Sequence, residues 1–183
     1  MVNCTMPHVI LSAIGSDRPG LVEEVSQFAF SRGANIEDSR MVNLRGQFAM
    51  MVLLGGEEKT ISRLRGDLPE LTKQTSLHAE LHEAKAEKGG GLGGVEAAPF
   101  KLTGTALDQP GLVHRVSHLL RELHVNIESL ETRLRPAPYT GAPMFDMEMI
   151  LLVPRTTSLS QLRQNLTKHC DELNVDWELE PHN

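Results

Sequence analysis

The sequence predicts an α+β protein made of two β-α-β-β-α-β units. Three observations carry that reading. The chain repeats itself at a spacing of 91 residues, a glycine-rich stretch separates the copies, and inside each copy the apolar residues recur with the periods of strands and helices in that order.

The repeat is dense. Asp17-Arg18-Pro19-Gly20-Leu21-Val22 returns as Asp108-Gln109-Pro110-Gly111-Leu112-Val113, Val25-Ser26 as Val116-Ser117, and Asn35-Ile36-Glu37 as Asn126-Ile127-Glu128, so ten positions between 17 and 37 are identical in the two copies. The second copy carries a six-residue insertion around Arg135 to Pro143, after which Phe48 and Met50 match Phe145 and Met147. The boundaries that follow are a first unit over 1–84, a linker over 85–98 and a second unit over 99–183. The linker contains Lys88-Gly89-Gly90-Gly91-Leu92-Gly93-Gly94 and shows no sustained apolar period. A glycine-rich coil of that size spans roughly 20 Å, which lets two units sit side by side.

Within a copy, Val9, Leu11 and Ala13, matched by Phe100, Leu102 and Gly104, alternate as a strand buried on one face does. A helix follows, with Leu21, Val22, Val25, Phe28 and Ala29 on one stripe, repeated as Leu112, Val113, Val116, Leu119, Leu120 and Leu123, while Glu23, Glu24 and Gln27 occupy the other side. Two strands come next, about 35–44 and 47–54, joined by Arg45-Gly46 in the first copy and by the longer proline-rich loop in the second. The second helix is marked by Ile61, Leu64, Leu68 and Leu71, and again by Leu159, Leu162, Leu166, Cys170 and Leu173. Gly66 and Pro69 are expected to kink or split the first of these. Closing strands near 75–83 and 175–179 complete a split βαβ, ferredoxin-like unit with both helices on one face of an antiparallel sheet. A unit this small buries little surface, so the other face is expected to find cover by pairing of the two copies or of two chains in a homodimer.

Composition excludes several classes. A net charge of -6 disfavours direct nucleic-acid binding, which needs a cationic stripe, and aromatic residues amount to 4%, too few for base stacking on a sheet. No apolar run has the length of a membrane helix and the N-terminus does not read as a secretion signal, so the expected address is cytoplasmic. Cys4 and Cys170 read as free thiols, having neither CxxC nor disulfide-style spacing.

The D-x-P-G-L-V segment lies where the first strand turns into the first helix. Pro19 and Pro110 suit a first helical position, and Gly20 and Gly111 leave the backbone bare. The opening amides of a helix have no internal acceptors, so a carboxylate brought against this turn is held by N–H groups. Asp17 and Asp108 are placed to cap the helix or accept from an ammonium group, and Asn35 and Asn126 are expected beside the same loop. These groups together suit a zwitterion. Spacing alone also permits a plainer reading, since proline and glycine at a helix start are common turn chemistry.

The same residues resemble the ACT domain family, small amino-acid-binding regulatory modules marked by D-x-P-G-[LV] and a following N-I. Two such domains with little else, together with Ala137 to Phe145, resemble the glycine cleavage system transcriptional repressor family. The resemblance implies a ligand, glycine or serine, held between paired modules, with Asp17, Pro19, Gly20, Leu21, Asn35 and Ile36 as contacts, and equally Asp108, Pro110, Gly111, Leu112, Asn126 and Ile127. It further implies a regulator acting through a protein partner, a transcription regulator, rather than on DNA. The alternatives are a detached regulatory subunit of a metabolic enzyme and a scaffold without ligand.

Other chemistry finds no support. His114 and His118 are four apart on one helix, but their counterparts are Glu23 and Gln27 on a solvated stripe, which argues against a metal site. His78 and His82 fall in an edge strand with no site, and the linker glycines lack the Lys-Ser/Thr of a phosphate loop. No nucleophile with a base, and no paired carboxylates in a motif, suggest an enzyme, and no cofactor is expected.

Overall fold

The computed structural model describes residues 6–84 and 96–182, which form two compact units. Of the segment read as the linker, 85–95 lie outside the described residues. Ala97 and Ala98 already belong to the second unit, because Ala97 pairs with Pro154 and Ala98 with Val153.

The first unit runs β1 (His8–Ser16), α1 (Leu21–Ser31), β2 (Asn35–Leu44), β3 (Gln47–Gly55), α2 (Glu58–Thr75) and β4 (His78–Glu83). The second runs β5 (Ala97–Leu107), α3 (Leu112–Glu122), β6 (Asn126–Pro136), β7 (Pro143–Pro154), α4 (Leu159–Leu173) and β8 (Asp176–Pro181). Each forms a four-stranded antiparallel sheet, in the orders β2-β3-β1-β4 and β6-β7-β5-β8. The expected β-α-β-β-α-β order holds in both.

Strand alternation places the cores. Val9, Leu11 and Ala13 of β1 and Phe48, Met50, Val52 and Leu54 of β3 are buried and share one cluster with Leu21, Val25 and Phe28 of α1 and Ile61, Leu64 and Leu71 of α2. The second unit repeats this with Phe100, Leu102, Met149, Leu151, Leu120 and Leu166 among its buried residues. Val22, counted in the apolar stripe, is 45% exposed, because its position beside Leu21 lies about 100° around the helix from it.

Helix α2 is not split. It continues through Gly66 and Pro69, since Pro69 is exposed and its ring sits on the solvent side of the helix, where a missing backbone hydrogen bond costs least. The hairpin β2–β3 turns on Arg45 and Gly46, both with positive φ, 51° and 79°, the pair of left-handed residues that a two-residue hairpin turn requires.

The sheet faces turned away from the helices differ between the units. In the first unit this face presents Ile10, Ser12 and Ile14 of β1 and Ala49, Met51 and Leu53 of β3, flanked by Val42 of β2. Ile14, Met51 and Val42 are 53%, 54% and 44% exposed. In the second unit the corresponding face holds a Lys101–Glu148 ion pair and an Asp146 carboxylate that accepts from both Thr105 and Arg135.

Candidate functional site

The strand-to-helix turn is built the same way twice. The Asp17 N–H donates to the Gly46 carbonyl at 2.8 Å and the Asp108 N–H to the Pro143 carbonyl at 2.9 Å, tying each turn to the neighbouring hairpin. The helix itself begins later than the sequence suggests. Pro19 and Pro110 precede it, and the N-cap is glycine: Gly20 with φ 94° and Gly111 with φ 92°. A left-handed backbone at the cap is what demands glycine, and it displaces the prolines from the first helical position. Leu21 and Leu112 are the first helical residues and send their side chains into the cores.

Asp17 and Asp108 are not caps. Neither helix start has a side-chain cap bond, because in the first unit the Asp17 carboxylate accepts instead from the Asn43 side-chain amide at 2.5 Å.

The two halves of the expected site do not meet inside one unit. Asn35 pairs across β3 with Gly55, which pairs with His8, whereas Asp17 follows Ser16 at the end of β1 that pairs with Gln47. Strand rise over the eight steps from His8 to Ser16 separates those ends by roughly 26 Å. Asn126 and the Asp108 turn are arranged likewise, since Asn126 aligns with Leu152 and Leu107 with Met144. Ile36 and Ile127 accompany their asparagines at the far end, each beside a β-bulge. There Asn35, Ile36 and Ala34 line a shallow cavity of about 330 Å³ with Ser26, Gln27 and Phe30 of α1.

The turns also differ from each other. In the first unit Arg18 donates to both carboxylate oxygens of Glu24, at 2.5 and 2.8 Å, and this hydrogen-bonded guanidinium holds the Glu24 carboxyl below the usual carboxylate range. A Cβ placed on Gly20 would lie 3.5 Å from a Glu24 oxygen. The bare turn is therefore overlaid by the chain's own ion pair. The second unit has Gln109 and Arg115 at those positions, which cannot make that pair. Gln109 turns away and donates to the Leu173 carbonyl at 2.9 Å, and nothing lies within 4 Å of a Cβ on Gly111. The signal for this asymmetry lies in the repeat itself, where positions 18 and 24 are two of the three that break the matching stretch from 17 to 26.

Residues 7–82 match the ACT domain family. The chain carries an ACT domain in its first unit. Its second unit repeats the topology of the first. Over 168 residues it is 27% identical to the glycine cleavage system transcriptional repressor of Escherichia coli, the match covering 92% of this chain and 86% of that one. Among solved structures, one of an unknown protein from Galdieria sulphuraria is similar over 97% of this chain and 99% of its own, at 27% identity with a TM-score of 0.78. Another, described as a glycine cleavage system transcriptional repressor, shares the fold over 96% of this chain and 97% of its own, at 23% identity with a TM-score of 0.71.

The remaining features are quieter. His114 and His118 are exposed, and no cluster of three metal-ligating side chains occurs among the described residues. No helix among the described residues is long and apolar enough to cross a membrane. The insertion extends the β6–β7 hairpin, closed by the Ala137 N–H donating to the Ala142 carbonyl at 2.8 Å, with Tyr139 wholly exposed.

Proposed function

We propose that this ACT domain protein is a cytoplasmic, non-enzymatic regulator that senses a small amino acid, glycine or serine. It passes the signal to a transcription regulator by protein contact, as its similarity to a glycine cleavage system transcriptional repressor suggests. The observation that carries the reading is the turn at Gly111, where α3 begins without a side-chain cap and a Cβ would meet nothing within 4 Å. A ligand carboxylate set there is bound by those N–H groups and by the positive end of the helix, with Pro110 and Leu112 framing the turn and Asp108 available to the ammonium group. In the first unit the Glu24 carboxylate already takes the corresponding position, so the second unit is the stronger binder. Asn35 and Asn126 complete such a site only for the turn of another module, which makes pairing part of binding. An acidic chain whose outer sheet faces carry no aromatic side chain has little to offer a nucleic acid.

Thermal unfolding of the full chain against a panel of amino acids at millimolar concentration tests this. Ligand at one hundred times Kd adds about 2.7 kcal/mol of stability. Glycine or serine is expected to raise the transition, Gly111→Ala to remove the response, and Gly20→Ala to leave most of it. An unresponsive wild type sinks the sensor reading. Affinity capture is expected to recover a transcription regulator, and recovery of a catalytic enzyme in its place overturns the repressor assignment.

A further inference from the structure

The outer face of the first sheet is largely apolar in its centre and self-complementary at its edges. Its side chains stand in three cross-strand rows. Arg40, Met51, Ser12 and Glu80 form the middle one, with Asp38, Leu53, Ile10 and His82 on one side and Val42, Ala49, Ile14 and His78 on the other. Each row is apolar or small in its centre. Two rows end in opposite charge or a chargeable imidazole: Arg40 on β2 against Glu80 on β4, and Asp38 against His82. Arg40 and Glu80 sit three strands apart, at about 4.8 Å per strand, too far for contact within one sheet. Their present partners are local and solvent-facing: Arg40 bonds Asp38 at 2.5 Å, and Glu80 lies 3.1 and 3.5 Å from the ring nitrogens of His78 and His82.

We propose that this face packs against the same face of a second copy of the chain, about a two-fold axis parallel to the strands. Such an axis lays β2 over β4 and β3 over β1 while keeping every row on itself. Arg40 then meets the partner copy's Glu80 twice by symmetry, Asp38 meets His82, and Leu53, Met51 and Ala49 cover Ile10, Ser12 and Ile14. An axis across the strands would instead set β2 on β2 and bring Arg40 onto Arg40. Aligned packing of two sheets is an ordinary arrangement, with faces about 10 Å apart. Four strands and six to nine residues of length give a face of about 500 Å² per copy, or about 1,000 Å² for the pair, the area at which specific association begins. The outer face of the second unit is a poor substitute, because burying its Lys101, Glu148 and Asp146 would strip charges of water. The inference does not depend on the ligand reading, which concerns the turns and not the sheet face.

Sedimentation velocity of the full chain over a micromolar concentration series decides it. The expected result is a mass rising toward twice that of one chain. Met51→Glu, at an exposed site, is expected to weaken association by on the order of tenfold or more, and Ile150→Glu, on the outer face of the second unit, to leave it unchanged. Arg40→Glu and Glu80→Arg are each expected to weaken it and the two together to restore it, a recovery that can arise only between copies. A chain that stays monomeric, or a dimer untouched by Met51→Glu, overturns the proposal. Failure of the charge exchange to restore association overturns the two-fold arrangement, and that pair of variants remains decisive even if Met51→Glu does not fold.

Discussion

Gly20 and Gly111 show how much one backbone angle decides. Both have a φ near 90°, a region in which an L side chain is strained, and both therefore end the turn and start the helix at the next residue. At Gly111 a Cβ meets nothing, so Gly111→Ala is expected to cost only the backbone strain, about 1–2 kcal/mol, read as a lower urea midpoint. A loss well beyond that would mean the methyl group collides with something. Cys170 offers a second test. It is buried among the α4 residues of the second core, and burial, with a smaller contribution from Asp171, pushes its thiol up to about 11. The unfolded chain releases this proton at lower pH than the folded one, so stability falls as pH rises between about 9 and 11. The loss is roughly 1–3 kcal/mol at the top of that window. Comparing urea unfolding at several pH values with that of Cys170→Ala isolates the effect: the variant lacks this slope, and equal slopes in both proteins would refute it.

Periodicity was a sufficient guide to which segments become strands and helices, because each buries a single face against one core. Where it misled, the cause was local. Proline suits the first helical position by its φ, yet the left-handed glycine after it takes the cap. Val22 looked apolar enough for the stripe, but it is the neighbour of a stripe residue. A proline at position 69 predicts a break in α2, yet Pro69 is exposed while Ile61, Leu64 and Leu71 remain buried. That last point is testable. Pro69→Ala restores a backbone donor and a good helix former at an exposed site, where proline is disfavoured by about 3 kcal/mol; part of the gain is offset by the freer unfolded chain. The expected result is a urea midpoint raised by about 1–2 kcal/mol of stability. An unchanged or lower midpoint would show that the helix is already adapted to the ring.

Duplication made the two-unit organisation legible, and it also concealed what separates the copies. The identical residues include those that build the turn, and Leu21 and Val25, which point into the core. The differences that matter for a ligand or a partner lie on surfaces that periodicity cannot rank: Arg18 and Glu24 against Gln109 and Arg115, and an apolar outer face against a charged one. The distance between the turn and Asn35 was hidden for a different reason. Adjacency in an antiparallel sheet depends on register, and eighteen residues of separation say nothing about which end of a strand a residue occupies. The two cores, by contrast, share no residue, so damage to one is expected to stay there. Leu64 is fully buried in the first core, and Leu64→Ala removes buried methyl groups and leaves a cavity, at a cost of about 2–5 kcal/mol. Residue-resolved amide exchange is expected to quicken across β1, β3 and α2, whose protection reports that core. Rates in β5, β7 and α4 are expected to keep their wild-type values. Equal acceleration in both halves would show that the copies unfold as one cooperative body.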